Sequence, residues 1–121
     1  MLTVGMDIVE IERIERATNH WGNRFLNRIY TSQEVSFCRG RIDRLASRFA
    51  AKEAVMKALG TGVRGVGWQE VEVVRQLGHA PSIQLHGRAR NRARDIGITQ
   101  LALSLAHSND YAVASVVGDG K

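Results

Sequence analysis

Apolar and polar positions alternate strictly at the start of the chain. Leu2, Val4, Met6 and Ile8 are set against Thr3, Gly5 and Asp7, which predicts a strand with Asp7 at its end. The period then lengthens. Ile11, Ile14, Ala17 and Trp21 recur at helical spacing, with Glu10, Glu12, Arg13, Glu15 and Arg16 outside the stripe. Asp7 followed by Glu10 has the form of a capping box at this helix start. Gly22-Asn23 interrupts the pattern, and a short basic helix is expected beyond it, with Arg24 and Arg28 on one face and Phe25 and Ile29 on another. Thr31 with Glu34 three residues on predicts the N-cap of a helix through about Cys38.

The longest helical signal runs from about Ile42 to Leu59 and stops at Gly60. Leu45, Phe49, Met56 and Leu59 form one stripe, with Lys52 lying inside it. A second face is small: Ala51, Ala54 and Ala58, with Ser47. Glu53 and Lys57 follow Ala46 and Ala50 along one flank. Such a helix is expected to be packed on both sides, within its own subunit and against a neighbour. Something polar must meet Glu53 and Lys57, because an unpaired buried charge is costly. Lys52 has no account from the pattern.

Beyond Leu59, the glycines at 60, 62, 65 and 67 predict a flexible loop. Val71, Val73 and Val74 mark a strand, and Gly78-His79-Ala80-Pro81 a turn into a second, Ser82 to His86. Gly87 to Ile96 reads as a short helix with Ala89 and Ala93 inward and Arg88, Arg90, Arg92 and Arg94 outward. Leu101, Leu103, Leu105 and His107 then alternate with small residues. Ser108-Asn109-Asp110 turns the chain into a returning strand from Tyr111 to Val117. No repeat or linker divides the sequence, so residues 1–121 are expected to form a single domain.

Composition narrows the partners. The net charge is +5, and three of the 17 basic residues are lysine, so the excess is arginine, whose planar fork suits phosphate and carboxylate. Acidic partners are favoured: nucleic acid, a phosphorylated cofactor or an acidic protein. The lone Cys38 excludes a disulfide framework and a cysteine-based zinc site. No apolar run reaches membrane-span length and no leader segment is read, so the expected location is the cytoplasm.

Each candidate site has a structural reading beside its chemical one. Asp7 is a helix cap or, paired with Glu53, a hard-cation site: magnesium takes one or two protein carboxylates together with phosphate oxygens. Glu53 and Lys57 at i, i+4 are a surface ion pair worth about 0.3–0.5 kcal/mol, or part of a site. His107, ending its strand, is a hydrogen-bonded core histidine or a phosphate contact. The glycine segment after Leu59 lacks the Gly-Lys-Thr ending of a P-loop and sits at the wrong end of its helix for dipole binding of anions. The run from Arg88 to Arg94 is a solvated helix face or a nucleic-acid contact. Without interleaved aromatics, nucleic acid is disfavoured.

Three segments together carry a resemblance. Gly5-Met6-Asp7-Ile8-Val9-Glu10-Ile11-Glu12-Arg13-Ile14, then Arg48-Phe49-Ala50-Ala51-Lys52-Glu53-Ala54-Val55-Met56-Lys57-Ala58-Leu59-Gly60-Thr61-Gly62, then Leu103 to Ser108 with Tyr111-Ala112, resemble the motifs of the holo-[acyl-carrier-protein] synthase family in family order. His79 departs from the family, which usually shows a basic residue between glycine and proline there.

The resemblance implies an α+β fold in which a small antiparallel sheet packs against a long central helix and shorter helices. It implies a magnesium-dependent 4′-phosphopantetheinyl transferase, acting in fatty acid biosynthesis. Such an enzyme moves the phosphopantetheine arm of coenzyme A onto a serine of apo acyl carrier protein. By motif position, Asp7 and Glu53 ligate magnesium, and Arg48, Lys57 and His107 contact coenzyme A. Glu53 and Lys57 are the catalytic candidates: the carrier serine needs a base, which Glu53 would supply directly or through a metal-bound water, and Lys57 would stabilise the leaving oxygen. Arg13, Arg24, Phe25 and Arg28 match positions that grip the acidic carrier protein. Short members of the family are homotrimers with active sites between subunits.

Overall fold

The computed structural model describes residues 1–76 and 78–120. It is built from strand β1 (Leu2–Glu10), helices α1 (Ile11–Trp21), α2 (Asn23–Ile29), α3 (Ser32–Cys38), α4 (Ile42–Leu59) and α5 (Gly62–Gly65), a 3-10 turn (Trp68–Glu70), strands β2 (Val71–Val74) and β3 (Ser82–Leu85), helix α6 (Gly87–Ile96), and strands β4 (Gln100–His107) and β5 (Tyr111–Asp119). The expected α+β class holds. The strands form an antiparallel three-stranded sheet in the order β1-β5-β4 and a separate β2-β3 hairpin.

Helix α4 lies on one face of the larger sheet, and its alanine side makes that approach possible. Ala51 and Ala54 are fully buried and Ala58 almost so, facing Ala112 and Ala114 of β5. Small against small lets the backbones close. At Gly5 they close completely: a Cβ there would lie 1.8 Å from the Ala54 carbonyl oxygen. The alanine face is thus packed within the chain.

Strand β1 turns its alternation the unexpected way round. Thr3, Gly5, Asp7 and Val9 face α4, while Leu2, Val4, Met6 and Ile8 face outward at 58–70% exposure. The strand also runs on past Asp7, because β5 pairs with it through Glu10↔Tyr111. Asp7 is thus an inward residue within the strand, not a cap. Glu10 occupies the N-cap position of α1 without a side-chain bond, so the expected Asp7–Glu10 box does not form. The capping box of Thr31 and Glu34 does form.

The bulky side of α4 is covered by α3, α5, β2 and α6, with Phe49 stacked on Trp68 at 4.9 Å. Here Lys52 finds its partners. Its ammonium is fully buried, pairs with Glu34 at 2.7 Å, and donates to the carbonyls of Trp68 at 3.0 Å and Val71 at 2.5 Å. Glu34 in turn accepts from the amides of Thr31 and Val73, both at 2.8 Å. Burial holds the Lys52 pKa down while Glu34 pulls it back up. The glycine segment is more ordered than its composition predicts: Gly60 ends α4 in the left-handed region (φ 73°), and a turn of helix and the 3-10 turn follow.

Candidate active site

β1 and α4 bring Asp7 and Glu53 together. The two carboxyls are within hydrogen-bonding reach, and burial followed by the Asp7 charge pushes the Glu53 pKa up. Arg13 and Lys57 act in the opposite direction, too weakly to restore it. Lys57 does not close the i, i+4 pair that its spacing suggests. Its ammonium turns to Asp7 Oδ1 at 2.9 Å and to the Met6 carbonyl at 2.9 Å. Among the described residues, no third histidine, cysteine or acid joins the two carboxylates. Two adjacent carboxylates repel unless a proton or cation lies between them, and a donor set of oxygens alone fits a hard divalent cation with open positions for phosphate and water. Asp7 and Glu53 fit that description.

A second cluster lies elsewhere on α4. An open groove of about 910 Å³ is lined by Arg39, Arg41, Arg44, Arg48 and Arg75, with Asp43 and His107 among them. Arg48 is 4% exposed, and its Nε and one terminal nitrogen have no hydrogen-bond partner. Its guanidinium lies 4.5 Å from the Phe37 ring, which Arg44 approaches at 5.0 Å. Burial lowers the Arg48 pKa, as expected for a desolvated cation awaiting an anion. His107 is half-exposed, with Nε2 3.7 Å from Asp43, which Arg41 holds through two contacts of 3.3 Å.

The candidate residues thus fall into two groups. Asp7, Glu53 and Lys57 meet, with Arg13 nearby; Arg48 and His107 share the groove. Nine residues of helix separate Arg48 from Lys57, roughly 13 Å along the axis and about half a turn around it, so α4 stands between the groups. Arg24 and Arg28 are exposed on α2, whereas Phe25 is half-buried with its ring edge-on to Tyr30. Of the α6 arginines, Arg88 pairs with Glu70 at 3.1 Å, and Arg92 caps α4 through the Leu59 carbonyl at 2.9 Å. Two of the four cations that suggested nucleic acid therefore hold the fold together.

Sequence reasoning missed Arg39, Arg41, Arg44 and Arg75 as groove residues. Arg44 and Arg48, four apart on α4, were the available signal. Arg75 comes from beyond β2, and no local pattern connects it to the others.

Comparison with known proteins gives one consistent result. Residues 3–116 match the ACPS family, described as the 4′-phosphopantetheinyl transferase superfamily. A holo-[acyl-carrier-protein] synthase of Herpetosiphon aurantiacus is 45% identical, over 99% of this chain and 100% of that protein. One from Dehalococcoides mccartyi is 47% identical, over 97% and 98%. Among solved structures, holo-[acyl-carrier-protein] synthase of Helicobacter pylori in complex with coenzyme A superposes with a TM-score of 0.87 at 30% identity, over 96% of this chain and 99% of that one.

Proposed function

The chain belongs to the 4′-phosphopantetheinyl transferase superfamily, and from that membership we propose its reaction: transfer of the 4′-phosphopantetheine group of coenzyme A to a serine of apo acyl carrier protein, in support of fatty acid biosynthesis. The observation that carries this reading is the meeting of Asp7 with Glu53 and Lys57, residues of two motifs distant in sequence, at one polar point of the fold.

Asp7 and Glu53 would hold a divalent cation, magnesium on this reading, which would supply charge neutralisation at the coenzyme A pyrophosphate. Lys57 places its ammonium beside the oxygen that leaves with adenosine 3′,5′-bisphosphate. The carrier serine oxygen forms the new bond to phosphorus, the bond to the departing phosphate oxygen breaks, and the serine proton passes to Glu53. Arg48 and His107 bind phosphate through the cationic groove, where the unpartnered nitrogens of Arg48 supply donors. Arg13, Arg24 and Arg28 offer charge to the acidic carrier, and Phe25 offers the exposed part of its ring.

The outward apolar row of Leu2, Val4, Met6 and Ile8, extended by Val117, supports a homotrimer, since exposed patches of this kind mark interfaces. The separation of the two groups across α4 supports active sites completed by a neighbouring subunit. Among the described residues no helix is long and apolar enough to cross a membrane. Cys38 is buried and its thiol is pushed up to about 11 by burial, an inert group that suits a reducing cytoplasm.

The test is the intact mass of apo acyl carrier protein after incubation with the enzyme, coenzyme A and magnesium. A gain of one phosphopantetheine, abolished by chelator and restored by added cation, is expected. No gain with a range of carriers would refute the reading.

A further inference from the structure

We propose that the buried Lys52–Glu34 ion pair is a positioning device, setting the rotation of α4 so that Glu53 and Lys57 reach Asp7; this rests on the function proposed above. The starting observation is the unequal way the two sides of α4 are held. Towards the sheet, Ala54 and Ala58 close on Gly5, on a sheet face whose buried residues are Val9, Ala112, Ala114 and Val116. Such mostly small surfaces fix the distance between helix and sheet closely, but they carry few tall ridges, and helix packing is oriented by ridges entering grooves. Rotation about the helix axis is therefore weakly set on that side.

On the other side, the Lys52 ammonium spends all three of its protons on acceptors from three separate segments: Glu34 of α3, the Trp68 carbonyl of the 3-10 turn and the Val71 carbonyl of β2. Glu34 is itself fixed by the Thr31 and Val73 amides. Directional bonds of this kind specify an angle more narrowly than the apolar contacts of Leu45, Phe49, Met56 and Leu59 beside them. A buried ion pair is also poor evidence of stabilisation, because replacing both charges with apolar groups is often neutral or better. Orientation is the use for which its desolvation cost makes sense.

The sensitivity is geometric. Lys52 is the immediate neighbour of Glu53 and precedes Lys57 by five residues. A rotation of about 15° carries a group 5–6 Å from the axis through about 1.5 Å. Displacements near 1 Å are enough to cost about a hundredfold in rate.

The experiment uses the full chain and measures three quantities: magnesium affinity by calorimetry without substrates, kcat, and KM for coenzyme A. Lys52→Arg keeps the charge but lengthens the reach. It is expected to unfold cooperatively while magnesium affinity falls about tenfold or more. Its kcat should fall on the order of a hundredfold with KM changed less than about threefold. Shortening the partner in Lys52→Arg/Glu34→Asp is expected to recover most of both losses. A folded Lys52→Arg with wild-type metal affinity and kcat overturns the proposal, and so does a loss that the second change fails to recover. Should Lys52→Arg not fold, the charge-free Glu34→Gln/Lys52→Met carries the same expectation and is overturned by wild-type values. Wild-type protein that neither binds magnesium nor modifies carrier would refute the transferase reading itself. An active wild type with unaffected variants refutes only the positioning role.

Discussion

Glu53 answers to stability and chemistry in opposite senses. Its carboxyl is held above its ordinary value by burial and then by Asp7, so the folded chain binds that proton more tightly than the unfolded chain does. Between the two pKa values the native state carries more protons, and stability falls as pH rises. The group's stabilising contribution is complete below the ordinary value of about 4.5 and is lost as pH climbs through the raised one. Glu53→Gln removes that penalty. We expect its melting temperature in chelator at neutral pH to exceed that of the wild type, and the difference to shrink at pH 4. The same substitution removes the proposed base and a cation ligand, so the transfer rate should drop by about 10²–10⁴-fold. A rate equal to wild type at saturating magnesium would remove Glu53 from the role of base.

At the scale of elements, the fold turns on the contact between β1 and α4. Gly5→Ala would drive a methyl into the Ala54 carbonyl at 1.8 Å, backbone against backbone, with no side chain able to yield. We expect a loss of about 3 kcal/mol or more, read as a shift of the urea midpoint, or failure to fold. A midpoint within error of wild type would mean that the helix has room to withdraw. The same contact explains what could be read in advance. The bounds of α4 were legible because an uninterrupted run of helix formers ends at a glycine able to take positive φ. The Thr31–Glu34 box was legible because capping is local. The length of β1 was not, since Ile8 and Val9 are adjacent apolar residues that face opposite sides, and the pairing that extends the strand comes from Tyr111. Nor was the meaning of Lys52, whose partners lie 16 to 19 residues away on one side and in α3 on the other. The Asp7–Glu53–Lys57 group was legible from residue chemistry only as one alternative among structural readings, and resemblance singled it out; the fold supplied its contacts.

The whole molecule presents an exposed apolar row along β1, Leu2, Val4, Met6 and Ile8, together with a candidate site in two parts. On the proposed reading, further copies of the chain complete both. Charging the apolar row by Met6→Arg is expected to turn a trimer into a monomer in sedimentation velocity while leaving far-UV circular dichroism intact. A wild-type protein that sediments as a monomer at micromolar concentration would contradict the assembly. The central claim is that the carboxylate end of one subunit and the arginine groove of the next form one coenzyme A site. Its most direct test is the intact mass of apo acyl carrier protein incubated with magnesium, coenzyme A and co-expressed assemblies in which half the chains carry Lys57→Ala and half Arg48→Ala. If each site draws on two subunits, about a quarter of the sites in randomly mixed trimers are intact, and transfer should reach about that fraction of the wild-type rate. A mixture no better than either parent, beside an active wild type, would contradict the shared site.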